Sequence, residues 1–298
     1  MRILIVGGNG YIGSHLYFQL KEQAFVASID YGNDSKDFIN LDLTDIYKVN
    51  DFADNCDHFD ILIFLVGLAH AKGKGKDLPE FMKVNYQTLV NLLSALDDNN
   101  KIPDKVIFSS TISVYGEKYH HSIYDEKSEK KPFSPYAVTK LQAEQYLLDK
   151  FADKSWILRF APVYSSDFLL NINRRTRMGG RFYRLGKGSR KLSLCNIENI
   201  GTVVEAIIKN KVPAGTYNLS DPKEYTYDEL LRWRKANCVL TIPVFAVKLL
   251  YYLGQFINST FLKENTVKLI SDNIFSSEKV RSYIDLPATI NDVKFGND

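Results

Sequence analysis

The chain has 298 residues, of which 45% are hydrophobic, 13% aromatic and 24% charged, a composition that excludes a disordered, collagen-like or low-complexity protein. Its length predicts one large domain with a smaller satellite. The formal charge of +3, from 38 Lys+Arg against 35 Asp+Glu, is too small for a whole-chain field that binds nucleic acid or an anionic membrane, so any basic site must be local.

The first apolar run, Ile3–Val6, reads as a buried strand. With one leading charge, Arg2, it is too short for the apolar stretch of about 7–15 residues in a signal peptide, and a cytosolic setting is expected. Gly7-Gly8-Asn9-Gly10-Tyr11-Ile12-Gly13 follows directly and opens into a helical stretch, Ser14 to Gln23. Glycines at 7, 10 and 13 allow a tight turn, close approach to a pyrophosphate and close helix packing, while the helix start offers free N–H donors. The pattern predicts a dinucleotide cradle that includes Tyr11 and Ile12. Phe25–Ile29 reads as the second strand, ending at Asp30, where a carboxylate accepts from an adenosine ribose diol and repels a 2′-phosphate. NAD is therefore expected rather than NADP: Tyr31, Gly32 and Asn33 include no arginine, although nearby Lys36 leaves NADP open. Asp42 and Leu43 follow a short third strand and are candidates for the adenine edge, with helix capping the alternative for Asp42.

Ile61–Val66 reads as the next strand, and Pro79–Leu96 as a helix whose wide apolar face must cover the sheet or a partner subunit. Strand Val106–Phe108 runs into Ser109-Ser110-Thr111, hydroxyls that can hydrogen-bond a reacting alcohol at the carboxyl end of a strand. In the predicted helix Pro135–Lys150, Tyr136 and Lys140 lie four apart on one face, where an ammonium would favour the phenolate. After strand Trp156–Phe160 the alternation fades into turn-rich sequence. From Arg174 to Lys191 there are eight cations and no acid, a pattern that usually marks a solvated face. The apolar stretch Val239–Ile257 is broken by Pro243, Lys248, Gly254 and Gln255, so no stable membrane insertion is expected. It reads as a helix packed on the satellite domain, with surface membrane contact as the alternative. Cys56, Cys195 and Cys238 read as idle thiols, His120 and His121 as a surface loop, and no metal site is predicted.

Strand and helix alternating in this way predict an α/β fold, a Rossmann-type doubly wound parallel sheet that binds ligands beyond its strands' carboxyl ends. Gly7-x-x-Gly10-x-x-Gly13, Thr111 with Val114-Tyr115-Gly116, and Ser134-Pro135-Tyr136-Ala137-Val138-Thr139-Lys140 together resemble the extended short-chain dehydrogenase/reductase family, in particular its nucleotide-sugar epimerases and dehydratases. The resemblance implies an NAD-binding domain over 1–164, joined by part of 193–210, and a smaller C-terminal α/β substrate domain over 165–298 for a nucleoside-diphosphate sugar. It implies that Tyr136 is the acid/base, that Lys140 tunes it and holds the nicotinamide ribose, and that Thr111 bonds the reacting sugar hydroxyl. Gly67, Leu68 and Ala69 occupy positions that line the cofactor, and Asn85 matches a family asparagine. Arg181 and Arg190 are the candidates for clamping the substrate diphosphate.

Where sugar 4,6-dehydratases carry an Asp-Glu pair after the catalytic Thr, this chain has Ile112-Ser113, which cannot serve water loss. Ala161-Pro162 stands where galactose epimerases have a substrate-contacting Asn. The shift toward Pro here and the shorter C-terminal part resemble the 4-epimerases and 4-ketoreductases of bacterial polysaccharide pathways. A UDP-hexose or UDP-N-acetylhexosamine 4-epimerase working through a 4-keto sugar is expected, with an NAD(P)H-dependent 4-keto-sugar reductase and a non-catalytic dinucleotide-binding protein as alternatives. A homodimer through helices Pro79–Leu96 and Pro135–Lys150 is expected on the same resemblance.

Overall fold

The computed structural model describes residues 1–30, 38–68, 77–116, 118–119 and 123–293. Arg2–Val6 (β1), Phe25–Asp30 (β2), Ile39–Asn40 (β3), Ile61–Phe64 (β4), Lys105–Thr111 (β5), Ser155–Phe160 (β6) and Gly215–Leu219 (β7) form one sheet in the order β7-β6-β5-β4-β1-β2-β3. Pairs β1–β2, β1–β4, β2–β3 and β4–β5 are parallel, with Val6 opposite both Ile29 and Phe64, and Phe64 opposite Phe108. Strand order reverses direction between β1 and β4, which opens a crevice at that point for a ligand.

The apolar runs are buried because both faces of the sheet are covered. Helices Tyr11–Leu20 (α1), Ile46–Asn55 (α2), Leu78–Met82 (α3), Thr88–Asp98 (α4) and Pro135–Lys150 (α5) connect the strands. Leu89, Leu92, Leu93 and Leu96 of α4 and Ala143 and Leu147 of α5 join Leu4, Leu62, Val106 and Phe108 in one core. Full burial contributes roughly 1.5–3 kcal/mol for each large side chain, so this layer holds the strand ends in place.

Element boundaries shift for local reasons. Gly10, in an extended conformation, is the N-cap that starts α1 at Tyr11 rather than Ser14. The long helix expected over Pro79–Leu96 is broken by a π-helical turn, Lys83–Gln87, between α3 and α4. Ser134 caps α5 by accepting from the Ala137 amide, and Pro135 occupies its first turn, where a missing N–H costs nothing.

The chain divides into two compact units that interleave along the sequence. The first comprises Met1–Val114, Ser134–Arg159 and Val204–Tyr217; the second comprises Tyr115–Phe133, Phe160–Val203 and Asn218–Asp298. Segment Tyr115–Phe133 joins the second unit through packing that no local pattern encodes: the rings of Tyr115 and Tyr124 stack on Phe275, with centroids 5.9 and 5.1 Å away. At the heart of this unit, buried Asp221 accepts from the Tyr164 and Tyr225 hydroxyls, the Asn196 amide and Asn199 Nδ2. Burial still pushes its carboxyl up to about 6. No described helix is long and apolar enough to cross a membrane.

Candidate active site

The candidate site lies in the first unit. The glycine turn leaves β1 with Gly7 at φ +90°, its amide donating to the Ile29 carbonyl at 2.8 Å. A Cβ at Gly13 would stand 2.3 Å from the Gly7 oxygen, and one at Gly8 would stand 1.7 Å from Ser28 Oγ. Glycine is therefore required at 13 for α1 to approach the turn, and also at 8, beside the hydroxyl of a strand residue 20 positions away in sequence. No sequence pattern signalled Gly8. Tyr11 and Ile12 open α1 at the cradle.

Asp30, at the carboxyl end of β2, accepts the Asn9 amide of the same turn at 2.9 Å. With Ile29, Leu41, Asp42, Leu43, Val66 and Lys83 it lines a cavity of about 440 Å³. Asp30, Asp42 and Leu43 are thus brought together. One Asp42 oxygen is engaged locally, accepting the Thr44 amide and hydroxyl at 2.9 and 2.7 Å. Tyr31, Gly32, Asn33, Lys36, Ala69, His120 and His121 lie outside the described residues. A glycine turn that any Cβ would fill, a carboxylate at the adjacent strand end and a cavity beside them fit an adenosine diphosphate moiety.

On the other side of β1, the turn after β4 is fixed by Asn85 of the π-helical segment. Its Oδ1 accepts the Leu68 amide at 2.6 Å and its Nδ2 donates to the Leu68 carbonyl at 3.3 Å and Thr139 Oγ1 at 3.2 Å. The extra residue in the turn rotates Asn85 inward, a common use of such bulges at functional sites. Gly67 faces Lys140: a Cβ there would lie 3.2 Å from Nζ.

Thr111, Tyr136 and Lys140 lie on adjacent elements, the end of β5 and the first turns of α5. The Thr111 hydroxyl accepts the Ser113 amide at 3.2 Å and hydrogen-bonds the Tyr136 phenol. Lys140 is 2% exposed, with Nζ donating to the Val66 carbonyl at 3.1 Å and sitting 4.6 Å from the Phe108 ring centroid. Here an expectation reverses. Burial pushes the phenol of partly buried Tyr136 up to about 12, against the lowering effect of the Thr111 bond. Burial also takes Lys140 down to about 7, opposed by the Glu144 carboxylate. The ammonium is aimed at a backbone carbonyl, so desolvation outweighs any help it gives the phenolate.

One turn along α5, Glu144 forms a buried ion pair with Arg159 of β6, accepting Nη2 at 2.6 Å and Nε at 3.0 Å. The Ser110 hydroxyl also donates to it. Sequence reasoning missed this trio, although a charge at 159 inside the apolar run Trp156–Phe160 was its signal. The expected diphosphate clamps lie in the second unit. Arg181 is exposed at the start of the strand Arg181–Leu185, and Arg190 stands 4.0 Å from Asp272. Elsewhere in the cationic run, Arg184 pairs with Asp228, Lys191 with Glu224, and Arg177 lies over the Phe182 ring. No cluster of His, Cys, Asp and Glu able to hold a metal occurs among the described residues.

Comparison with known proteins gives this geometry a family. The chain is 25% identical over 268 residues to N-acetyl-alpha-D-glucosaminyl-diphospho-ditrans,octacis-undecaprenol 4-epimerase of Escherichia coli O157:H7, covering 85% of this chain and 76% of that one. It is 31% identical over 190 residues to a probable UDP-arabinose 4-epimerase 1 of Oryza sativa subsp. japonica, covering 55% of this chain but only 44% of that protein. In fold it matches the crystal structure of UDP-glucuronic acid 4-epimerase from Bacillus cereus in complex with NAD, with a TM-score of 0.72, 19% identity, and coverage of 98% of this chain and 93% of that one. Residues 3–220 match the sequence profile of the NAD dependent epimerase/dehydratase family, and the chain belongs to that family.

Proposed function

We propose that the chain is an NAD-dependent 4-epimerase of nucleoside-diphosphate sugars, a UDP-hexose or UDP-N-acetylhexosamine, acting through a 4-keto sugar. The observation that carries this reading is the Thr111–Tyr136 hydrogen bond beside buried Lys140 at the strand ends, in a chain whose relatives at up to 31% identity are sugar 4-epimerases. Gly7, Gly10, Tyr11, Ile12 and Gly13 would hold the NAD pyrophosphate, with Asp30, Asp42 and Leu43 at the adenosine and Gly67, Leu68, Ala69 and Lys140 at the nicotinamide ribose. Bound NAD supplies reversible hydride exchange with C4 of the sugar.

The protein's own part is proton movement and positioning. Tyr136, as the phenolate, takes the proton of the C4 hydroxyl on oxidation and returns it on reduction. Thr111 orients the phenol and that hydroxyl. Lys140, with an ammonium near 7, changes charge close to neutrality and so assists the phenol's proton exchange. Asn85 keeps the Gly67–Leu68 backbone in place, a positioning role supported by its two bonds to Leu68. Ile112 and Ser113 provide no acid/base for dehydration. Arg181 and Arg190 are proposed diphosphate ligands.

The proposal includes cytoplasmic work in polysaccharide biosynthesis and a homodimer through α3–α4 and α5. Tyr86 of the π-helical turn and Tyr146 of α5 meet edge to face, with ring centroids 6.3 Å apart, and so link these helical segments. The decisive experiment incubates the protein with a panel of UDP- and dTDP-sugars, with and without added NADH, and determines product stereochemistry. Inversion at C4 without net NADH consumption is expected. Oxidation of NADH in proportion to product would replace the epimerase with a 4-keto-sugar reductase.

A further inference from the structure

The second unit carries an apolar surface that the chemistry above does not use. Helix Val244–Phe256 packs against the protein along Val247 and Gly254, and its close crossing with the following helix, Thr260–Ile270, requires glycine: a Cβ at Gly254 would lie 2.8 Å from Leu262 Cβ. Phe245, Leu249, Tyr252, Leu253 and Phe256 recur at helical spacing on the other side, and all are exposed. Phe245 is 73%, Leu249 67% and Phe256 90% exposed, whereas solvent-facing helix positions are ordinarily polar.

The same surface is cationic at its border. The strand Leu240–Ile242, which leads into the helix, pairs with Arg181–Leu185, and the Gly186 amide donates to the Ile242 carbonyl at 2.9 Å. The end of that strand, Gly186 and the following Lys187, is thereby brought to the entry of the apolar helix, where Val244 lies against Gly186. Lys187 is exposed there, Arg177 is exposed on the outer strand of the same small sheet, neither forms an ion pair among the described residues, and Lys248 lies on the helix itself. Asp228 is shared between Arg184 and Arg232. No Asp or Glu occurs from Leu230 to Lys263, so the strand and the helix themselves carry no negative charge.

We propose that helix Val244–Phe256 docks parallel to an anionic lipid surface, its phenylalanines and leucines entering the headgroup boundary and the Arg177–Lys187 border meeting lipid phosphates. An amphipathic helix with aromatic and aliphatic residues on one side and cations beside them has the chemistry of an interfacial anchor. A second copy of the chain fits less well, because its own segment from Leu230 to Lys263 offers no Asp or Glu to meet these cations. Net charge does not oppose the assignment: a total of +3 hides a local block of like charge.

The test is co-sedimentation of the full chain, without substrate, with vesicles of phosphatidylglycerol and phosphatidylethanolamine and with vesicles of phosphatidylcholine alone. The wild-type chain is expected to partition onto the anionic vesicles and to be released by salt. The triple variant Phe245→Ser, Leu249→Ser, Phe256→Ser should lose at least about tenfold in partition, with an unchanged circular-dichroism melt and unchanged turnover of a soluble nucleotide sugar. If the triple variant does not fold, the single Phe256→Ser variant, altered at an almost fully exposed position, carries the comparison. The assignment is overturned if the wild-type chain stays in the supernatant with every vesicle, if the variant partitions equally, or if the substitutions convert a wild-type dimer to monomer. Because partition is read without sugar, it succeeds or fails independently of the epimerase reading.

Discussion

Two buried charges sit one turn apart on the same helix and are treated in opposite ways. Glu144 has both carboxylate oxygens occupied by Arg159 and a further bond from Ser110. Lys140 has three protons to donate, yet its one hydrogen bond among the described residues goes to the Val66 carbonyl, and its ammonium is held near 7 by burial. The saturated charge belongs to the architecture, joining α5 to β5 and β6. The undersatisfied one keeps capacity in reserve at the end of the sheet, where a ribose diol would fit. Unmet hydrogen-bonding capacity, more than burial, separates the charge at the candidate site from the one in its scaffold.

The contrast can be broken by substitution. The largest effect is expected for Tyr136→Phe, which should cut turnover at least about 100-fold while NAD binding and the unfolding midpoint stay close to wild type. Retention of near-normal turnover would remove Tyr136 from its assigned role. Glu144→Gln should act in the reverse sense, costing roughly 3–5 kcal/mol of stability because it strands a buried guanidinium. Urea unfolding measures it, and a midpoint within error of wild type would show that the trio is not a structural tie.

A smaller, pH-dependent effect belongs to Lys140. Its ammonium titrates near 7 when folded and near 10.5 when unfolded, so between these values the unfolded chain binds the extra proton. Unfolding free energy should therefore climb as pH rises from 7 to 10, by up to about 4 kcal/mol at the top of the window. Lys140→Met should abolish that slope. Parallel pH–stability curves for the two proteins would mean that the ammonium is better solvated than its surroundings indicate.

The sheet was legible because its strands are short, β-branched and buried on both faces, and Gly7, Gly10 and Gly13 mark a turn in which Gly7 takes a left-handed backbone and Gly13 leaves no room for a Cβ. Tyr136 and Lys140 were legible because four residues along a helix bring side chains to one face. Gly8 was not, since its neighbour Ser28 comes from another strand, and neither was the Ser110–Glu144–Arg159 trio, whose members come from three elements. The exposed side of Val244–Phe256 was read as one option for an apolar stretch whose spacing does not tell which side is covered.

Local pattern alone thus established the order of elements, the glycine turn after β1 and the spacing of Tyr136 and Lys140, because each rests on backbone geometry or helical period within a few residues. Tertiary packing decided the rest: the interleaved division of the chain, the π-turn that aims Asn85 at Leu68, and the direction of the Tyr136 and Lys140 shifts. Desolvation depends on what the whole fold places around a charge, and helical spacing carries no information about that surrounding.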